Sequence, residues 1–354
     1  MPSTATAQTL RLAINGYGRI GRCFLRALHE STARQRFSVV AINEPANLES
    51  MAYLTRYDST HGRFPAEVGM GGFGERLLFI DGQPIAISHA RTPEAVDWTE
   101  HGVDLLVECS GVYGQRKDLS RFLAAGCPRL LLSHPGHSAD DVDATVVAGV
   151  NEHILNGNHR LVSAASCTTN AIVPILDLLQ REVGIEQALL STLHSVMNDQ
   201  PLIDGYHHDD LRRTRSAMQS IIPVSTGLAR GVERLLPALT GRVHAKAIRV
   251  PTLNVSAIDL TIHTGRPVSA QHINAMLADA AQGPLRHRLA FSDQAHASID
   301  FNHDPHSAIV DGSQTRCAGA HLLNLFVWFD NEWGFANRML EVAEHWSQHW
   351  TPNS

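Results

Sequence analysis

The chain has few cysteines: Cys23, Cys109, Cys127, Cys167 and Cys317 are odd in number, scattered, and never spaced C-x-x-C. That usage excludes a disulfide frame and a cysteine zinc site, and it predicts a reducing compartment. Long apolar runs are missing as well. No stretch approaches the roughly 18 residues of a membrane span, and residues 1–9 have neither the basic start nor the apolar run of a secretory signal. There is no basic surplus. The net charge of −6 gives no reason to expect nucleic acid or an anionic membrane as partner, although 21 histidines would raise the charge in mild acid. Internal repeats and low-complexity linkers are also absent. A soluble cytoplasmic protein is the expectation. The 44% hydrophobic and 18% charged shares are those of a globular protein, and 354 residues suffice for two domains with well-buried cores.

The first informative motif lies near the start. Leu10 to Ile14 alternates as a strand and runs into Asn15-Gly16-Tyr17-Gly18-Arg19-Ile20-Gly21-Arg22, a G-x-G-x-x-G sequence. A helix follows, with Ile20, Phe24 and Leu28 four apart on one face. In that context Gly16 serves the tight turn, Gly18 lets a pyrophosphate approach, and Gly21 lets the helix pack on the strand. The pyrophosphate would rest on the helix N-terminus. A second strand, Phe37 to Ile42, leads to Asn43-Glu44, roughly 20 residues beyond the glycines, where an acidic residue meets the adenine ribose. The Glu44 carboxylate would repel a 2′-phosphate, so the expected cofactor is NAD.

Strand and helix patterns then alternate. A hairpin is expected at Leu77–Ile80 and Ile85–Ser88 around Asp81-Gly82, a strand at Val103–Glu108, a helix at Lys117–Ala125 and a strand at Arg129–Leu132. Such alternation predicts an open parallel sheet whose ligands lie at the carboxyl ends of its strands. Ser110, Gly111 and Ser133 would then line the cofactor cleft.

Ser166-Cys167-Thr168-Thr169-Asn170 places a cysteine after an apolar run and at the start of a helical pattern. Unpaired first-turn amides stabilise a thiolate, so the expected thiol pKa is low. Taken alone, a cysteine is more commonly a small buried apolar residue. Downstream, Leu189 to Thr192 and Leu193 read as a strand ending in His194, a base that could pair with Cys167. The helix from about 168 to 183 contains Pro174, which costs about 3 kcal/mol or more inside a helix and predicts a kink. Beyond it, Arg249 to Ile262 reads as one long strand, Val268 to Ala281 as a helix, Leu322 to Phe329 as a strand and Glu332 to Trp350 as a helix. This half predicts a separate α+β domain with a mainly antiparallel sheet.

Other features have simpler explanations. His303 and His306 flank a turn-forming proline and read as a structural loop rather than a metal site. His207-His208-Asp209-Asp210, beside Arg212-Arg213, reads as a solvated or ion-paired loop. Cys109, Trp346 and Trp350 read as packing residues.

The motifs at 15–22 and 166–170, with Arg249-Val250-Pro251-Thr252 and Asp330-Asn331-Glu332-Trp333-Gly334, resemble the glyceraldehyde-3-phosphate dehydrogenase superfamily from about residue 11 to 339. Within it, Asn43-Glu44, the stretch His194 to Gln200 and the stretch Asp300 to Gly312 are most similar to the branch acting on erythrose 4-phosphate. The resemblance implies a Rossmann-type NAD domain over 1–166, completed by a C-terminal helix at about 331–354, and a catalytic domain over 167–330. It implies that Cys167 is the nucleophile and His194 its base. It also implies cofactor contacts from Arg19, Ile20, Arg91 and Asn331, and substrate contacts from Ser166, Thr168, Asp199, Arg213, Thr226, Gly227 and Arg249. A sugar phosphate substrate, no metal and a homotetramer with 201–224 near subunit contacts follow by the same resemblance. Met197 departs from the pattern: the glycolytic enzymes generally have a threonine hydroxyl there for the substrate phosphate. Tyr206 likewise replaces a common proline. Losing a buried donor to an anion costs roughly 1.5 to 3 kcal/mol, so the phosphate site is expected to differ from the glycolytic one. Spacing alone does not choose between phosphate and water for thioester release; the resemblance implies water.

Overall fold

The computed structural model describes residues 9–72, 76–207 and 210–350; His208 and Asp209 of the polar loop named above lie outside them, as do the extreme ends of the expected nucleotide domain and terminal helix. The chain forms two compact units. One comprises the described parts of Met1–Val146, Glu152–Ala165 and Met339–Ser354; the other comprises Val147–Asn151 and Ser166–Arg338. No helix among the described residues is long and apolar enough to cross a membrane.

The first unit contains β1 (Leu10–Asn15), α1 (Arg19–Glu30), β2 (Phe37–Asn43), α2 (Leu48–Arg56), the two-residue pair β3 (Tyr57–Asp58) and β4 (Gly62–Arg63), and β5 (Val68–Gly71). It continues with β6 (Leu77–Ile80), β7 (Gln83–Ser88), β8 (Leu105–Glu108), α3 (Arg116–Ala124), β9 (Leu130–Leu132), β10 (Ala144–Thr145) and β11 (Leu161–Ser163). The main sheet runs β10-β11-β9-β8-β1-β2-β7-β6-β5, with β1 at its centre. Pairing is parallel from β10 to β7, and β6 and β5 add an antiparallel rim. All four residues of β8 are buried, as a central parallel strand covered on both faces requires. Asp81 and Gly82 adopt φ of 48° and 76°, the left-handed pair that a tight hairpin turn needs. Strand β5 escapes the apolar-alternation reading because Gly69 and Gly71 leave every second position without a side chain.

The second unit begins with α4 (Cys167–Glu182), capped by Ser166, whose side chain accepts from Thr169 N; the helix continues through Pro174. Its other elements are β12 (Ile185–His194), β13 (Ile222–Val224), α5 (Leu228–Leu235), β14 (Val243–Arg249), β15 (Ser256–Thr264), α6 (Ala270–Gln282), β16 (Leu289–Ser292), β17 (Ala308–Asp311), β18 (Arg316–Ala318) and β19 (Leu322–Phe329). The sheet order is β13-β14-β12-β15-β19-β17-β16, with β18 on β19. Only β12 with β14 and β16 with β17 pair in parallel, so the sheet is largely antiparallel. The final helix, α7 (Trp333–Ser347), spans the division between units.

One expected strand is corrected. Residues 249–262 do not form a single strand: β14 ends at Arg249 and β15 starts at Ser256. Pro251 has no N–H for a ladder, and Val255 takes a φ of 62° that no strand accommodates. The break has a functional result. With β14 parallel to β12, Arg249 stands directly opposite His194, both at the carboxyl end of their strands.

Candidate active site

In the first unit, the glycine loop sits where β1, β2, β7 and β8 end. Gly16 takes a φ of 85°, and a Cβ on it would lie 2.4 Å from Ser110 N. A Cβ on Gly21 would lie 2.3 Å from Gly16 O, so the start of α1 closes on the loop only without a side chain. Around Gly18 the reverse holds: a Cβ there would meet nothing within 4 Å. Gly18 is also the N-cap of α1 and contributes no side-chain acceptor to the first-turn amides. A tight turn, clear space and uncapped amides in succession fit a pyrophosphate.

Glu44 follows β2 and reaches back to this loop, its Oε2 accepting from Tyr17 N at 2.7 Å. Ser110, Gly111 and Ser133 follow the ends of β8 and β9, and Ser110 stands against Gly16. Ser110 turns its hydroxyl and its amide to Glu108 Oε1. Arg19 is paired through two nitrogens with Asp58, at 2.6 and 3.1 Å, which holds that carboxyl down at a pKa of about 2, against its burial. Its guanidinium is thus committed to the protein. Ile20 is in the first turn of α1, half-buried, and Arg91 is exposed just after β7, its carbonyl accepting from the Tyr113 hydroxyl.

Glu108 was not singled out by sequence reading, though a charge closing an otherwise apolar strand is a visible signal. It is fully buried and accepts from Asn15 Nδ2 at 2.5 Å. Asn15 Oδ1 in turn accepts from Asn43, whose Oδ1 accepts from Ser88 Oγ and Ala90 N. This chain of polar contacts ties together the ends of four neighbouring strands. Burial raises the Glu108 pKa to about 7, against the donors from Ser110 and Asn15.

In the second unit, Cys167 opens α4 and His194 closes β12. Cys167 Sγ lies 3.8 Å from His194 Nε2 and 3.8 Å from Thr168 Oγ1. The thiol expectation needs correction: burial raises the Cys167 pKa, and this outweighs the opposing effects of Thr168, of the Arg249 charge and of its own backbone amide. Burial, with the Arg249 charge second, also lowers the His194 pKa to about 4. Sequence placement reveals the helix amides but not the desolvation that opposes them. Both shifts favour the neutral forms of the resting pair, thiol and imidazole.

His194 Nδ1 lies 2.8 Å from Ser195 O and 2.6 Å from Arg249 Nη1. A ring nitrogen can serve only one of these at a time. Protonated, it donates to the Ser195 carbonyl and leaves Nε2 free to accept the thiol proton. Deprotonated, it accepts from Arg249 and Nε2–H faces the sulfur.

The remaining predicted residues divide into those the structure gathers and those it does not. Arg249 is beside His194, and Asp199, Cys167 and Arg213 lie close enough to act electrostatically on it. Arg213 pairs with Asp199 at 3.0 Å. Ser166 is the cap of α4, with its hydroxyl 2.8 Å from Thr169 Oγ1. Thr226 and Gly227 are exposed ahead of α5, and Thr226 Oγ1 accepts from Leu228 N. Asn331 Oδ1 accepts from Ser195 Oγ and Ser256 Oγ, which fixes the orientation of its amide. His303 stacks on Trp333 at 3.8 Å and His306 pairs with Asp304. Trp346 is fully buried, with its indole N–H donating to Asn156 O.

Family comparison joins the two units. Residues 10–116 match the model for the glyceraldehyde 3-phosphate dehydrogenase NAD binding domain, and residues 166–331 match that for the C-terminal domain of the same enzyme family. The chain belongs to the glyceraldehyde-3-phosphate dehydrogenase family. Its first unit is thus a Rossmann-type NAD-binding domain, and the glycine loop, clear space at Gly18 and Glu44 carboxylate fit that cofactor. The family's members are NAD-dependent oxidoreductases acting on sugar phosphate aldehydes.

Proposed function

We propose that this family member oxidises D-erythrose 4-phosphate to 4-phosphoerythronate, with NAD as acceptor and a thioester on Cys167 as intermediate. The observation that carries this reading is the segment following His194. Met197 offers no hydroxyl and is 45% exposed, while Asp199 sets a carboxylate on Arg213. A phosphate site so altered suits a substrate whose phosphate lies one carbon farther from the aldehyde.

The chemistry follows from the resting pair. As Sγ attacks the aldehyde carbon, its proton passes to His194 Nε2, and the carbonyl π electrons move to oxygen. The hemithioacetal oxygen then accepts from the backbone amide of Cys167, at the N-terminus of α4, and from the imidazolium. NAD, when bound, supplies the hydride acceptor. His194, deprotonated again, takes the hydroxyl proton as the carbonyl re-forms and a thioester remains on Cys167. In release, once His194 has passed that proton to solvent, a water oxygen bonds to the thioester carbon while His194 accepts its proton, and the C–S bond breaks to return the thiolate, which takes a proton back from the imidazolium. Arg213 and Arg249 offer planar forks of donors for the phosphate.

The proposal extends to setting. An enzyme making 4-phosphoerythronate fits pyridoxal phosphate biosynthesis, and five free cysteines fit a cytoplasmic location. Leu202, Ile203, Leu211 and Ile221, exposed in the segment 201–224, support a homotetramer. Analytical ultracentrifugation tests the assembly. The function itself is tested by NADH formation with erythrose 4-phosphate and glyceraldehyde 3-phosphate, each with and without inorganic phosphate. Faster, phosphate-independent oxidation of the tetrose is expected; a phosphate-dependent preference for the triose would return the enzyme to the glycolytic reaction.

A further inference from the structure

Two arginines are available to hold the substrate phosphate, and they differ in what already holds them. Arg249 packs its Nη1 against His194, and its buried Nε has no hydrogen-bond partner. Arg213 already has an anion: Asp199 Oδ2 lies 3.0 Å from its Nη1, and Asp210 Oδ2 lies 3.9 Å from its Nε. The Asp199 charge also reaches Arg249 and His194. Only 22% of the Arg213 side chain is exposed, so an incoming anion and Asp199 compete for a limited donor face.

We propose that Asp199 is a resident counter-anion that sets the specificity of the phosphate site against free inorganic phosphate. A phosphate oxygen reaching Arg213 must displace the Asp199 carboxylate or share the fork with it, and either weakens the charge-assisted bond. The substrate's own phosphate is tethered to a carbon chain bound covalently at Cys167, so it meets the arginines at high effective concentration and shares the Arg213 fork while the Asp199 carboxylate stays in place. Free phosphate has no such tether. Asp199 therefore excludes the nucleophile that would give an acyl phosphate and leaves the thioester to water. In either route one C–O bond forms at the thioester carbon, the C–S bond breaks, and the electron pair returns to sulfur; only the attacking oxygen differs.

This deepens the tetrose reading, and the partition of products rests on it; the anion-binding step does not. The test is a calorimetric titration of inorganic phosphate into the NAD-loaded protein, without aldehyde, for wild type and Asp199→Asn, Asp199→Glu and Asp199→Asn/Arg213→Gln. Asp199→Asn should bind phosphate about fivefold more tightly, the upper range for one partly exposed ion pair. Asp199→Glu should behave as wild type, and the double variant should lose the gain. Unchanged or weaker binding by Asp199→Asn would overturn the proposal, whichever aldehyde proves to be the substrate. With erythrose 4-phosphate and added phosphate, Asp199→Asn should also release a larger share of acyl phosphate. An unchanged share would confine Asp199 to anion binding and overturn its role in release.

Discussion

Where β1, β2, β7 and β8 of the NAD-binding unit end, the polar groups are matched. Glu108 accepts from Ser110 and Asn15, Asn15 accepts from Asn43, and Asn43 accepts from Ser88 and Ala90. In the catalytic unit they are not. Arg249 Nε is buried without a hydrogen-bond partner, and His194 Nδ1 is contested by a carbonyl and a guanidinium. A saturated network holds one geometry, whereas an unsaturated one has donors and acceptors left for a reacting molecule. The first unit presents a fixed cradle, and the second keeps its groups available for transfer.

Breaking the catalytic side should have the largest effect. Cys167→Ala should lower aldehyde oxidation by about four orders of magnitude while leaving NAD binding within twofold, read by NADH formation and by NAD titration. Retained turnover would rule out the covalent route. His194→Asn should reduce kcat by about 10²–10⁴, with slower alkylation of Cys167 near neutral pH; an alkylation rate equal to wild type would remove His194 as the base.

On the cradle side, Gly16→Ala forces a left-handed φ on a side chain and drives its Cβ into Ser110. A cost of about 1–3 kcal/mol is expected from the backbone alone, together with loss of NAD affinity. Denaturant unfolding and NAD titration measure the two effects, and wild-type values for both would show that the loop can open.

The smallest effect sharpens the contrast through pH. Burial lowers the His194 pKa from 6.5 to about 4, so the unfolded chain binds more protons between those values and stability rises with pH across them. Burial raises the Glu108 pKa from 4.5 to about 7, so the folded chain holds its proton longer and stability falls with pH across that window. The two slopes oppose one another in wild type. Glu108→Gln should therefore steepen the rise in unfolding free energy between pH 4.5 and 6.5, and His194→Asn should flatten or reverse it. Parallel curves for all three proteins would show that neither group is linked to folding.

Much of this arrangement could be read from sequence because it depends on local rules. The glycine loop, the Asp81-Gly82 turn and the start of a helix at Cys167 each follow from residues within a few positions of one another. The features that distinguish the catalytic unit do not. The break between β14 and β15 places Arg249 opposite His194, across 55 residues of chain, and apolar alternation ran straight through that break. The Arg213–Asp199 pair depends on loop geometry that periodicity does not report. The thiol pKa misled because helix amides are visible in sequence and desolvation by distant side chains is not.

The contact between Gly16 and Ser110 also bears on how such an enzyme can change over evolutionary time. Any side chain at position 16 would have to displace the main chain that follows β8, so the turn beneath the cofactor is closed to gradual variation. Glu44, by contrast, reaches the loop with a side chain alone, through Tyr17 N. Drift toward a phosphorylated cofactor could thus begin at residue 44 without disturbing the sheet, so cofactor choice can vary while the turn stays constant.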